Sequence, residues 1–180
     1  MSEVTNFSAI YDVFLSKVTD DMYMELTELD TYKLLQELLI SAIPWFEFPR
    51  KDLNDYEAAA IASVETYSGV LSDDVEVPAY IYSNGYFNNG LTIEEINILA
   101  TYMAAEWVSQ QLASIENTRQ KYSGSDFKFT SQANHMSKLK ELKADFIQKG
   151  FHLQRLYKRR MVDENGNIIS TFGSIMEGVE

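Results

Sequence analysis

Apolar positions recur at three- and four-residue spacing along most of this chain, the period of helices that bury one face. Ser8 opens a first predicted helix running to about Val18, with Ile10, Phe14 and Val18 on one stripe. The acid-rich "TDDMYMELTELD" connects it to a second helix from Asp30 or Thr31, whose Leu34, Leu35, Leu38, Leu39 and Ile43 mark a buried face. Pro44 disturbs that helix near its end and Pro49 closes the segment. Trp45, Phe46 and Phe48 gather at the exit, as core or as a protein interface. "DLNDYEAAAIASVETYSGV" reads as a further helix capped at Asp52 or Asn54, its alanines at 58, 59, 60 and 62 allowing close packing. The period then changes: over about 71–90 the alternation of Val75, Val77, Ala79 and Ile81, broken by Pro78, predicts a long loop or short strands, with a turn at Asn84-Gly85.

Thr92-Ile93-Glu94-Glu95 is a capping box, flanked by Leu91 and Ile96 as a hydrophobic staple. Its helix carries Leu99, Met103, Trp107, Val108, Leu112 and Ile115 as its apolar stripe. "RQKYSGSDFKFTSQANH" interrupts the pattern and predicts a loop over about 118–131. A long basic helix follows from about Gln132 to Arg160, buried through Leu139, Leu142, Phe146, Leu153 and Leu156 or Tyr157, with Gly150 as a candidate bend. Beyond it, Val162 and Ile168-Ile169 flank Asp163-Glu164-Asn165-Gly166-Asn167, a hairpin or extended-turn signature. The pattern therefore predicts a mainly α fold. A compact helical bundle over residues 1–160 carries a short extended or hairpin insertion and a long basic C-terminal helix, and an extended tail covers 161–180.

Composition narrows the classes. The hydrophobic share, 46%, suits a packed core, and no cysteine is present, which removes disulfides, thiolate metal sites and cysteine nucleophiles. The opening "MSEVTNFSAIYDVF" lacks a basic segment before an apolar run, and no uncharged apolar stretch approaches the ~20 residues that span a bilayer. A soluble intracellular protein without membrane contact is expected. Charge changes the picture more. Residues 1–115 carry 19 acids and 4 bases, residues 116–162 carry 4 acids and 11 bases, and residues 163–180 carry 4 acids and no base. Such asymmetry predicts a charged partner, or opposite faces that meet, or a basic helix packed on its own acidic half.

Candidate chemistry is sparse. His135 and His152 lie seventeen residues apart, unlike the i, i+4 pair of a helical zinc site. Ser125-Asp126-Phe127-Lys128 fits S-x-x-K without the companion motifs of that enzyme class. A calcium loop starting at Asp163 would need glycine and glutamate where Ile168 and Ser174 stand. The pairs Asp20-Asp21 and Asp73-Asp74 read as solvated surface. No catalytic residue, metal ligand or cofactor is expected.

The feature demanding explanation is "HLQRLYKRR", with Arg155, Lys158, Arg159 and Arg160, in a chain of net charge −12. Cations at a helix C-terminus complement the dipole. They also contact phosphates without sequence preference, so a small intracellular DNA-binding regulatory protein is one reading. No recognisable reading motif accompanies them. Docking onto an acidic protein is the other.

The segments "GYFNNGLTIEEINILATYMAAEWVSQQL", "KYSGSDFKFTSQANHMSKLKEL" and "LYKRR" resemble, in kind and order, the adaptor or head–tail connector proteins of tailed bacteriophages, also called head completion or neck proteins. The likeness runs from about Tyr86 to Arg160, under half the chain. It implies a structural, non-enzymatic virion protein, made in the host cytoplasm and placed at the head–tail junction. It implies a homo-oligomeric ring, usually twelve-fold, beneath the portal protein, with a further neck or tail-completion protein below and DNA passing non-specifically through the channel. It implies a C-terminal segment that docks onto the portal; Arg155, Tyr157, Lys158, Arg159, Arg160, Ile168, Ile169, Phe172, Ile175 and Met176 are then the expected docking residues. Trp45, Tyr86, Phe87, Phe127 and Phe129 are the expected inter-subunit or loop contacts.

Overall fold

The structure, a computed structural model, describes residues 4–18, 28–59, 61–63, 80–82, 85–121, 129–162 and 168–169. Among the described residues the fold is mainly α, four helices with a small three-stranded antiparallel sheet. The first helix, α1 (Phe7–Leu15), follows a two-residue strand, β1 (Thr5–Asn6). It buries Phe7, Ile10, Tyr11 and Phe14, a wider face than the expected stripe, and Val18 is buried just past its end. Asn6, not Ser8, stands at its cap, and the Asn6 side chain makes no capping bond. The Phe7 amide instead donates to the Gly85 carbonyl at 2.8 Å. Gly85 has to be glycine here: a Cβ would lie 2.5 Å from the Phe7 ring.

Helix α2 (Glu28–Ala42) begins before the expected Asp30 and buries Leu35, Leu38, Leu39 and Ala42. Pro44 withdraws a backbone donor, and the chain tightens into a 3₁₀ turn at Ile43–Trp45. The helix expected over residues 52–70 is not formed where the chain is described. The Asp52 carboxylate takes the Asn54 amide at 2.9 Å, turning the chain. Strand β2 (Tyr56–Glu57) follows, and β3 (Ile61–Ser63) pairs antiparallel with β4 (Tyr80–Tyr82). Helix propensity yields to non-local packing. Tyr56 lies opposite Phe87 of β5 (Tyr86–Phe87), and the Tyr56 ring meets Phe87 at 5.9 Å and Phe7 at 6.0 Å. The sheet runs β1-β5-β2, with Phe87 also opposite Thr5.

Helix α3 (Ile93–Lys121) touches each of the other three helices. Ile98 through Ala105 are buried without interruption, so this helix is covered on every side over two turns, not along the single stripe the periodicity predicted. Helix α4 (Phe129–Arg159) starts three residues before the expected Gln132, and α3 reaches Lys121, so both helices enter the stretch read as a loop. Phe129 is helical; Phe127 lies outside the described residues. The 31 residues of α4 extend about 46 Å. Leu142 and Leu156 are exposed, and Tyr157 takes the core position that the stripe had left open between it and Leu156. Past α4, β6 (Met161–Val162) pairs antiparallel with β7 (Ile168–Ile169), the expected hairpin. Among the described residues no helix is long and apolar enough to cross a membrane.

Gly150 lies inside the continuous helix α4. It faces α3 at close range: a Cβ would stand 2.5 Å from the Tyr102 ring. Gly150→Ala is therefore expected to destabilise the protein by about 1–3 kcal/mol, although alanine is the better helix former by ~1 kcal/mol. Urea unfolding with an unchanged m-value and a lower midpoint checks this.

Candidate functional site

The basic end of α4 meets the acidic start of α3, and the side chains there form one connected network. The capping box predicted at Thr92 is present: the Thr92 amide donates to Glu95 Oε2 at 2.7 Å, and the Glu95 amide donates to Thr92 Oγ1 at 3.3 Å. Glu95 is only 1% exposed, and its other oxygen, Oε1, accepts the Tyr157 hydroxyl at 2.5 Å. That phenol oxygen in turn accepts the Arg50 amide at 3.2 Å. The Arg50 guanidinium sits 4.1 Å over the Tyr157 ring, and its Nη2 donates to the carbonyls of Tyr157 at 2.7 Å and Arg160 at 2.6 Å. Arg50 thus caps the C-terminus of α4, where carbonyls lack helical partners. Phe46 also meets the Tyr157 ring, in an edge-to-face arrangement with centroids 5.5 Å apart.

One turn earlier, buried Gln154 spends its amide on three partners. Its Nε2 donates to the Trp45 carbonyl at 2.8 Å and to Tyr102 Oη at 2.5 Å, and its Oε1 accepts the Glu47 amide at 2.9 Å. The backbone that leaves the 3₁₀ turn is held to α4 in this way. Trp45 stacks on Tyr102 at 5.9 Å and donates its indole N–H to Glu106 at 2.7 Å.

The predicted site residues divide. Tyr157 is 2% exposed and bonded to Glu95 and Arg50, packed into the core of the chain. Phe87 is wholly buried, Tyr86 is a half-buried strand residue with its phenol bonded to Glu57, and Trp45 is held by Tyr102 and Glu106. These three contacts are made within one chain. Arg160 pairs with Glu94, and Lys158 lies 3.8 Å over Phe48. Arg155 and Arg159 are exposed. Ile168 and Ile169 form β7; Phe172, Ile175 and Met176 lie outside the described residues. Reasoning from sequence missed Arg50 and Gln154 altogether. Nothing local to either residue signals a bond to a segment over a hundred positions away.

Two concavities adjoin this end. A cleft of about 220 Å³ lies between α3 and α4, bounded by Glu94, Ile98, Leu153 and Arg160. A shallower groove of about 430 Å³ runs along the outer side of α4. Among the described residues no group of three acidic, histidine or cysteine side chains is placed to hold a metal ion. The Tyr157–Glu95 pair is sealed from solvent, so its chemistry is to join two helix ends. The fold and this end define a mainly α protein with a clamped helix terminus and a following hairpin. No family model, curated protein or solved structure matches the chain.

Tyr157→Phe removes the hydroxyl that Glu95 accepts and leaves a buried carboxylate oxygen unsatisfied, which is expected to cost about 1–3 kcal/mol in denaturant unfolding.

Burial pushes the phenols of Tyr11, Tyr102 and Tyr157 above their ordinary range, and at Tyr157 the bond to Glu95 and its charge act in the same direction. An unfolded chain releases these protons near pH ~10 while the folded one keeps them. Their contribution to stability is complete below that pH and is lost as pH rises through the folded values. Unfolding midpoints are expected to fall between neutral pH and about pH 11, with native phenolate absorbance lagging behind that of the unfolded chain.

Proposed function

We propose that this chain is a structural component of a tailed-phage neck, an adaptor ring subunit between the portal and the tail or the next neck protein, lining part of the DNA channel. The observation that supports this reading is how the chain leaves the bundle. Helix α4 ends at Arg159, Arg50 holds the Arg160 carbonyl, and β6 begins at Met161, so the paired C-terminal strands start directly from a held helix end. A finer architecture follows: a compact helical bundle, a long basic helix and a tail over residues 161–180 that serves as the docking arm. Arg155 and Arg159 beside that arm suit an acidic partner surface. Affinity would come from the apolar residues of the arm, because exposed ion pairs contribute ~0–1 kcal/mol.

The exposed cations of α4 also suit duplex phosphates, the reading of a small DNA-binding regulator. Such binding weakens steeply with salt.

The deciding experiment locates the protein. Purified particles from its source, probed with an antibody and viewed by electron microscopy, are expected to carry label at the head–tail junction. Clean particles with all of the protein in the soluble fraction would remove the connector reading, and salt-sensitive duplex binding would then favour the regulator. A chain ending at Arg160 is expected to keep its helical signal and unfolding midpoint yet to bind the portal at least about tenfold more weakly, a loss of ~1.4 kcal/mol.

A further inference from the structure

The small sheet has one covered side and one open side. Thr5, Phe87 and Tyr56 lie in register and turn inward, where both rings meet Phe7. Alternation along a strand turns their neighbours outward. Asn6, Tyr86 and Glu57 form one row across the open side. Continuing the register by one residue in the other direction adds Val4, Asn88 and Asp55 as a second row. Val4 is 53% exposed, and Asp55 and Glu57 are exposed too. Neutral donors hold both carboxylates in place: the Asn88 side chain donates to Asp55 at 2.6 Å, and the Tyr86 phenol bonds Glu57. Their charge is left uncompensated, because neither row carries a base. The outer side of α4 is the complement. Phe151, 40% exposed, lines its groove with Ile147 and Arg155. Arg159 follows one turn after Arg155, and among the described residues neither arginine forms an ion pair.

We propose that the open side of the sheet in one copy of this chain seats on the outer side of α4 in another, with Asp55 and Glu57 on Arg155 and Arg159 and with Tyr86 and Val4 against Phe151. Charge complementarity selects the second copy. The acids stand on the sheet and the cations on α4, each fixed in its own part of the fold, so a neighbouring chain is what brings them together. Spacing agrees with the charge. One helical turn sets Arg155 and Arg159 about 6 Å apart along the axis, and two residues of strand set Asp55 and Glu57 about 7 Å apart, so both pairs can form at once. The apolar residues beside them exclude water, which a pair of exposed charges alone does not do. Two different patches meet, so the contact is heterologous and repeats from copy to copy into a ring or a filament. A contact of this size is of the weak class, so association is read at high protein concentration.

The inference deepens the neck reading by naming the faces that join ring subunits, and its test uses the purified full chain, so the two fail separately. In sedimentation velocity the mass is expected to rise with protein concentration and to fall back as salt is added. Arg155→Glu with Arg159→Glu, or Asp55→Lys with Glu57→Lys, is expected to weaken association at least about tenfold. Lys138→Glu with Lys149→Glu, an equal change of charge on another side of α4, is expected to leave it in place. An equal mixture of the two reversed chains is expected to associate again, since each then offers the other an opposite face. Helical signal and unfolding midpoint are checked for every chain. A protein that stays monomeric into the millimolar range, a control that weakens association as much as the paired reversals, or a mixture that does not recover would each overturn the contact. Salt-sensitive duplex binding lost with Arg155→Glu and Arg159→Glu in a protein that stays monomeric would give the face to nucleic acid instead. Association without label at the head–tail junction would keep the contact and remove the neck.

Discussion

Eight consecutive residues of α3, Ile98 to Ala105, are buried on every side, and the arrangement of the other helices follows from that. A helix without an exposed face has to be surrounded, so α1, α2 and α4 all lie against it. Small side chains make the approach possible: Ala100, Ala104 and Ala105 on α3, and Gly150 on α4 against the Tyr102 ring. The side chains of Thr101 and Tyr102 inside this layer are answered, although further along α3 the buried indole N–H of Trp107 has no hydrogen-bond partner among the described residues. The Thr101 hydroxyl donates to the Asn97 carbonyl at 2.7 Å, and Tyr102 receives the Gln154 amide. An unanswered group there would cost about 1–3 kcal/mol, a large part of a typical domain's stability.

The second constraint comes from helix ends. An α-helix leaves four amides unpaired at its start and four carbonyls at its finish. Here the start of α3 and the finish of α4 lie side by side, and one carboxylate serves both. Glu95 closes the capping box with one oxygen and holds Tyr157 with the other. Arg50 supplies the carbonyls of α4 from a third segment, and its charge complements the negative end of that helix. The ion pair of Arg160 with Glu94 runs between the same two ends but is partly exposed, so it adds direction more than energy.

These constraints mark what the sequence could and could not reveal. The Thr92–Glu95 box was legible because both partners lie within one turn, and the hairpin after α4 was legible because its turn residues sit between two apolar pairs. The buried face of α2 was equally plain. The stretch from Asp52 to Ser63 was misread because its alanines favour a helix, whereas Tyr56 is fixed by Phe7 and Phe87, which are distant in sequence. Tyr157 was read as a docking residue for its place among cations. Its partner Glu95 lies 62 positions away, and no spacing rule reaches that far. The all-round burial of α3 was missed for a different reason: alanines and a tyrosine between strong apolar residues look like a polar flank until three neighbours cover them.

Charge segregation then acquires a physical sense. The inner face of α4 is close to neutral, with Met136, Gly150, Gln154 and Tyr157 buried, while Lys138, Lys140, Lys149 and Arg155 face outward. The acidic half of the chain is therefore joined to the basic helix mainly through uncharged contacts and hydrogen bonds, and among the described residues Lys138, Lys140, Lys149 and Arg155 form no ion pair. Any pull on the hairpin bears on Arg160, through Arg50 and Glu94 on the loop after α2 and on the first turn of α3, and from there on the helix that every other helix touches. The coupling of β6 through Arg160 to Arg50, Glu94 and α3 is what the geometry at the end of α4 provides.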